Sequence, residues 1–298
     1  MAYPKYKEYK DYTMSHIYIY NLILNKVENK IYNTVCIRIN NLKHYFHSST
    51  KNHFLLGSSS SEYVVLLWNI SSNPIINILN IDCNMPCIMF KNEDFFIFGR
   101  EYQNKRMGVW NKNGTLIKNI NKGNINKSYD FIEATYLEKK SYIILSGANY
   151  NQTTYKTLYY SECYNYDEDD IKTYKDDDNS SQIYCINLFK KGNNIYLMTG
   201  FSEKVNMFEF YSTKLIKRIQ LGANTVLSLC SINEKYIIAS NSYKLKIIDM
   251  ENYSVVKEYS AHYDGQEYEI KGIEKIKIPE KGEFIITYSS NFIKIWKI

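Results

Sequence analysis

The chain holds no run of about 18 apolar residues, so it offers no helix able to span a membrane. Its opening residues, Met1-Ala2-Tyr3-Pro4-Lys5-Tyr6-Lys7, contain no apolar core of a secretory signal and no Arg-rich amphipathic pattern of a mitochondrial import sequence. The expected address is therefore cytoplasmic. Glycine and proline are scarce, at 12 and 4 of 298 residues, whereas tyrosine reaches 30. No segment of about 12 residues carries a helical apolar period with caps at both ends, so almost no helix is expected. The net charge of +6 is modest, and the lysines are dispersed among Asn and Tyr. This falls short of the clustered basic footprint of a nucleic-acid binder. With 45% apolar and 23% charged residues, the composition is that of a globular protein.

Chemistry-bearing patterns are missing as well. Neither G-x-S-x-G nor H-E-x-x-H occurs, and no paired carboxylates stand out. The six cysteines, Cys36, Cys83, Cys87, Cys163, Cys185 and Cys230, are scattered. In a reducing compartment they read as small buried hydrophobes. Cys83 and Cys87 have no second pair or nearby histidine to complete a four-ligand zinc site. His44 and His47 sit three apart in what reads as a polar loop, without further ligands. The acidic block from Asp167 to Asp178 lacks the ordered calcium loop of an EF-hand and reads as solvated, suited at most to a basic protein surface. Gly57-Ser58-Ser59-Ser60-Ser61 lacks the Gly-Lys-Ser/Thr ending of a phosphate loop and reads as a turn between two strands. No catalytic, cofactor-binding or metal-ligating residue is assigned, and no cofactor is expected.

What the chain does have is a repeated cell, an apolar strand ending in an aromatic or apolar anchor followed by a polar residue. It is clearest in Val64-Val65-Leu66-Leu67-Trp68-Asn69, in Met107-Gly108-Val109-Trp110-Asn111 and in Ile293-Lys294-Ile295-Trp296-Lys297. Weaker copies place the full anchor set at Tyr20, Trp68, Trp110, Tyr160, Phe210, Ile248 and Trp296. By subtraction of those positions, the spacings are 48, 42, 50, 50, 38 and 48 residues. A period of about 40–50 residues is the signature of a β-propeller with four-stranded blades. Seven blades of about 40–45 residues would use the whole chain. The expectation is an all-β protein: a single β-propeller domain over residues 1–298, with four-stranded antiparallel blades, about seven in number, the N-terminal one incomplete.

Taken in order, His16–Leu22 and Asn25–Tyr32 match the third and fourth strands of a blade. The next unit is read as Val35–Ile39, His53–Gly57, Tyr63–Ile70 and Pro74–Ile81, with a long polar connection after the first strand. Later units follow the same plan, and Asn113-Gly114 is the strongest two-residue hairpin signal. The last blade runs out after its third strand. Such an open sheet edge is a liability. Lys5–Tyr12, whose Lys7-Glu8-Tyr9 echoes Lys257-Glu258-Tyr259, is the candidate closing strand; a partner protein is the other.

These repeats resemble the WD-repeat β-propeller family. In the last repeat Ala261-His262 looks like the family's Gly-His, and Trp296-Lys297 follows 34 residues later at its Trp-Asp position. The resemblance implies a structural role for His262. It also implies an Asp six residues before each tryptophan, to hydrogen-bond that histidine. Here those positions hold Glu62, Asn104 and Ser290, so the family's polar tetrad is expected to be largely missing. What the resemblance implies about function is a non-catalytic protein-interaction scaffold, a subunit or adaptor of a larger complex, whose partners are other proteins. The alternatives are a propeller hydrolase, which converging carboxylates would support, and an RNA-binding propeller, which would need a basic face with exposed aromatics.

Overall fold

The computed structural model describes residues 16–21, 26–32, 39, 41–59, 64–71, 75–79, 81, 83–91, 94–101, 107–120, 127–151, 156–175, 181–260, 262, 268–278, 282–289 and 292–298. Among them every regular element is a β-strand, and no helix is long and apolar enough to cross a membrane. The chain divides into two compact units, Met1–Ile125 and Asn126–Ile298.

The first unit begins with a two-stranded sheet, β1 (His16–Asn21) and β2 (Lys26–Tyr32). A first blade follows: β3 (Asn41–His47), β4 (Asn52–Ser59), β5 (Val64–Asn69) and β6 (Ile75–Leu79). The second blade is β7 (Cys83–Lys91), β8 (Asp94–Glu101), β9 (Met107–Asn111) and β10 (Leu116–Asn119).

The second unit holds the remaining blades. The third is β11 (Lys127–Leu137), β12 (Lys140–Asn151), β13 (Lys156–Asn165) and β14 (Asp170–Tyr174). The fourth is β15 (Cys185–Lys191), β16 (Asn194–Gly200), β17 (Lys204–Glu209) and β18 (Leu215–Gln220). The fifth is β19 (Val226–Ser231), β20 (Tyr236–Asn241), β21 (Lys244–Asp249) and β22 (Ser254–Ser260). The sixth has three strands, β23 (Gly272–Ile278), β24 (Gly282–Tyr288) and β25 (Ile293–Lys297). In each blade sequential strands pair antiparallel, as a meander. This is a β-propeller fold, with six blades among the described residues, five of four strands and one of three.

The apolar pattern follows from where each strand lies. β5 is buried from Val64 through Trp68 because both of its faces are covered. A strand covered on both faces reads as a continuous apolar run rather than an alternation. The outer strand β22 is exposed at six of its seven residues and carries Lys257 and Glu258. Within each unit the core lies between consecutive sheets. Leu56, Val65 and Leu67 of the first blade meet Ile88 and Ile97 of the second. Met198 and Met207 of the fourth meet Leu229 and Ile237 of the fifth, and Ile238 of the fifth meets Ile273 and Ile285 of the sixth. Each such side chain, fully buried, contributes about 1.5–3 kcal/mol. Trp68 and Leu66 pack in the same way with Ile17 and Ile31 of the two-stranded sheet.

Several sequence expectations are corrected. The inner strand of the first blade is Asn41–His47, not Val35–Ile39; residues 35–38 lie outside the described residues, and Ile39 is not in a strand. His44 and His47 are therefore strand residues rather than loop residues. The alternation of Leu42, His44 and Phe46 against Lys43, Tyr45 and His47 hides behind its polar members. Gly57, Ser58 and Ser59 belong to β4 rather than to a turn. Asn113-Gly114 is not a two-residue hairpin. Asn111 N–H donates to Thr115 O at 3.0 Å and Gly114 N–H to Asn111 O at 3.0 Å, which makes a three-residue loop with Gly114 at φ +77°. The proposed closing segment, Lys5–Tyr12, lies outside the described residues.

Candidate functional site

Cross-strand register gives the blades a common frame. Trp68 faces Leu55, Trp110 faces Ile97, Tyr164 faces Ile143, Phe208 faces Leu197, Ile248 faces Ile237 and Trp296 faces Ile285. Tyr20 fits the same frame, since Asn21 after it pairs with Lys26 as Asn165 pairs with Asp170. Tyr160 lies four residues before the frame position in its blade and Phe210 two after it. Residues two or four apart share a strand face, so an apolar pattern cannot separate them.

In four sheets the residue after the anchor closes the turn. Asn69, Asn111, Asn165 and Asp249 each accept, through Oδ1, the backbone N–H two residues on, at 3.1, 3.0, 3.1 and 2.7 Å. These side chains tie off the turn into the outer strand.

The sixth blade contains a buried polar chain. Trp296 Nε1–H donates to Thr287 Oγ1 at 2.9 Å, and Thr287 Oγ1 lies 2.9 Å from His262 Nε2. His262 Nδ1 lies 3.1 Å from Ser289 Oγ, which also accepts the Phe292 N–H at 3.1 Å. His262 is 1% exposed and Thr287 0%. Thr287 Oγ1 accepts from the indole and bonds His262 Nε2, with the direction of that second bond set by the imidazole tautomer. Burial first, and Lys294 second, hold the His262 imidazole below its ordinary range. The histidine link that the resemblance assigned to an acidic residue is made here by Ser289. Glu62, Asn104 and Ser290 lie outside the described residues.

Two concave surfaces of the second unit are candidates for function. The first, about 300 Å³, lies between the turns of the third and fourth blades. Its floor is aromatic: the Tyr142 and Phe210 rings meet edge to face at 5.2 Å, and Tyr174 OH donates to Phe210 O at 2.6 Å. Burial raises the Tyr174 phenol far above its ordinary range. The rim is charged. Lys140 pairs with Glu168 at 2.5 Å, and Lys172 donates to Tyr211 O at 2.8 Å. The Lys140–Glu168 pair is about half exposed and adds little to stability. Glu138 and Lys139 form the adjoining two-residue turn with φ of 48° and 66°, a left-handed pair normally filled by Asn or Gly.

The acidic loop is tied to this surface. Asp167 Oδ2 accepts the Ser141 N–H at 2.7 Å, and Asp169 Oδ1 accepts the Tyr164 hydroxyl at 2.7 Å. Asp176, Asp177 and Asp178 lie outside the described residues. Among the described residues no group of three or more His, Cys, Asp or Glu side chains is placed to hold a metal ion. Cys163, at the same pocket, is pushed up to about 12 by burial, so it sits there as a thiol rather than a nucleophilic thiolate.

The second surface, about 500 Å³, is lined by the inner strands of four consecutive blades. β11 contributes Glu133, β15 Asn187, β19 Ser228, and β23 both Glu274 and Lys275. Ser228 Oγ accepts the Ile273 N–H at 3.1 Å, and Lys275 Nζ donates to Ile232 O at 2.5 Å. These bonds stitch the fifth and sixth blades together beneath the cavity.

No protein-family model matches the sequence, and comparison with curated proteins finds no match. The structural assignment therefore rests on strand order and register, and these give a β-propeller fold.

Proposed function

We propose that this chain is a non-catalytic interaction scaffold, a subunit or adaptor of a larger protein assembly, built on degenerate WD-type repeats. β-Propellers commonly serve this way, although fold alone does not fix function. The two-stranded β1–β2 sheet, which shares the turn register of the blades, is read as the outer half of a further blade, making about seven.

The observation that carries the reading is the edge of the sixth blade. β25 has no fourth strand beside it among the described residues; it exposes Ile293 at 71% and Ile295 at 44%, and Ile298 just after it is 51% exposed. An apolar open edge invites pairing with another strand. A partner's strand added to β25 would satisfy its backbone groups and cover these isoleucines.

Affinity purification from native extract, washed at moderate and at high salt, tests the proposal. A stoichiometric protein set that survives both washes, and is lost when Ile293 and Ile295 are replaced by lysine, is the expected result. Nothing retained, with the chain monodisperse alone, would overturn it and leave closure by Lys5–Tyr12 as the cover for that edge.

A second reading, a hydrolase, is favoured by one observation: Glu133 and Glu274 line the same cavity from different blades. Hydrolytic turnover abolished by both Glu133→Gln and Glu274→Gln would establish it over the scaffold.

A further inference from the structure

β3 and β4 pair so that His44 lies opposite Leu55 and Phe46 opposite His53. His44 and His53 thus share one face of the sheet, diagonally across the ladder, within reach of each other. Nε2 of His44 stands 3.0 Å from Nδ1 of His53, with ring centroids 5.2 Å apart and planes 15° from parallel. Both side chains are exposed. The Phe46 ring lies 4.8 Å from the His53 ring, on one side of the pair. His47 is on the opposite face, stacked on Phe90 at 4.5 Å, with its two nitrogens on Thr50 and Ser49. The sequence neighbour of His44 is therefore not its partner; the strand pleat puts His53 there instead.

We propose that His44 and His53 form a two-imidazole binding site for a borderline divalent transition metal ion, of the class Cu²⁺, Ni²⁺ or Zn²⁺, with water in the remaining positions. At metal–nitrogen distances of about 2.0–2.1 Å, two nitrogens bound at adjacent positions stand about 2.9 Å apart in a square plane and about 3.3 Å apart in a tetrahedron. The observed 3.0 Å falls between these values. Each ring has to turn so that its lone pair leaves the N···N line and points at a common centre, which replaces one N–H···N bond by two metal–nitrogen bonds, with each imidazole keeping its hydrogen on the other nitrogen. The ladder register holds the two residues as diagonal neighbours on one sheet face. Two neutral nitrogen donors select against Mg²⁺ and Ca²⁺, which take oxygen ligands, and rank the others Cu²⁺ above Ni²⁺ and Zn²⁺.

The test is titration of the full chain with CuCl₂, followed by electron paramagnetic resonance, and with ZnCl₂ followed by calorimetry. The expected result is one ion per chain, with coupling from two imidazole nitrogens. His44→Gln and His53→Gln should each weaken affinity at least tenfold. Both side chains are exposed, and an unchanged urea midpoint would show that the variants fold. Absence of saturable binding by the wild type, or stoichiometric binding that neither substitution weakens, would overturn the proposal.

Discussion

Trp296 donates its indole N–H to Thr287 Oγ1 at 2.9 Å, and that one hydroxyl is also the contact of His262 Nε2. The hydroxyl oxygen accepts from the tryptophan, and the same hydroxyl bonds the histidine. Protonating His262 makes both ring nitrogens donors, so Thr287 Oγ1 would have to accept from the histidine and the indole at once. The sign of the pH effect follows. The folded pKa lies below the ordinary histidine value of about 6.5, so between the two the unfolded chain binds more protons. The stabilisation is complete above pH 6.5 and is lost as pH falls through that window. Urea midpoints measured from pH 8 to pH 5 should therefore decline for the wild type, and less steeply for His262→Gln. Thr287→Val, close in shape but without the hydroxyl, takes a partner from buried His262 and from the half-buried Trp296 indole and should cost about 1–3 kcal/mol.

Gly57 is a packing requirement rather than a turn residue. A Cβ placed there would stand 2.8 Å from Cζ3 and 3.0 Å from Cη2 of Trp68, which is 0% exposed. The ring is held between Leu66 and the two-stranded sheet and has nowhere to move. Gly57→Ala should lower stability by about 1–3 kcal/mol, through strain in an already filled core. In urea unfolding the midpoint should fall while the slope stays constant.

The repeat was legible in the sequence because the middle strands are covered on both faces. Val64 to Trp68 and Met107 to Trp110 carry that burial openly as unbroken apolar runs. Tyr160 and Phe210 marked the right strand and strand end but the wrong place, because a two-residue period cannot tell them from Tyr164 and Phe208. The polar residue after the anchor held the missing information. Asn165 and Asp249 close their turns through the same accepted N–H as Asn69. The aromatic-floored pocket was not legible. It joins residues of the third and fourth blades, and its rim turn, Glu138-Lys139, adopts left-handed angles without Gly or Asn to announce them. The His44–His53 pair was missed because one face of β3 sets His44 between Leu42 and Phe46 while the other carries Lys43, Tyr45 and His47, so the stretch reads as polar.

The loop from Asn111 to Thr115 gives a local test of turn chemistry. Asn111 Oδ1 accepts N–H groups from Asn113 at 3.0 Å and from Thr115 at 2.9 Å. Gly114 takes the left-handed position, at φ +77°. Asn111→Ala removes both accepted bonds and should cost about 1 kcal/mol, an exposed turn being able to recruit water. Gly114→Ala should also cost about 1 kcal/mol, because an L side chain strains that φ. Gly114→Asn should recover part of the loss, since Asn tolerates the left-handed region. Thermal unfolding of the three variants gives the ranking; equal stability of Ala and Asn at position 114 would contradict this turn geometry.

The cysteines give the last test. Cys83, Cys87, Cys163, Cys185 and Cys230 are buried, and none is in a disulfide. Burial pushes the Cys163 thiol up to about 12 and the Cys230 thiol up to about 11, and carries Cys185 further above its ordinary range. Thiolate is the reacting form, so at pH 8 Cys163, Cys185 and Cys230 are almost wholly protonated, and all five are hidden by burial. In native protein an aromatic disulfide reagent should leave all five unmodified over minutes. In urea they should react together, because no barrier but the fold protects them. The reaction rate across the urea transition should then follow the unfolded fraction. Peptide mapping by mass spectrometry assigns each site. Rapid native labelling confined to Cys163 would mean that the pocket between the third and fourth blades opens without unfolding. Its floor would then belong to a moving surface rather than a rigid one.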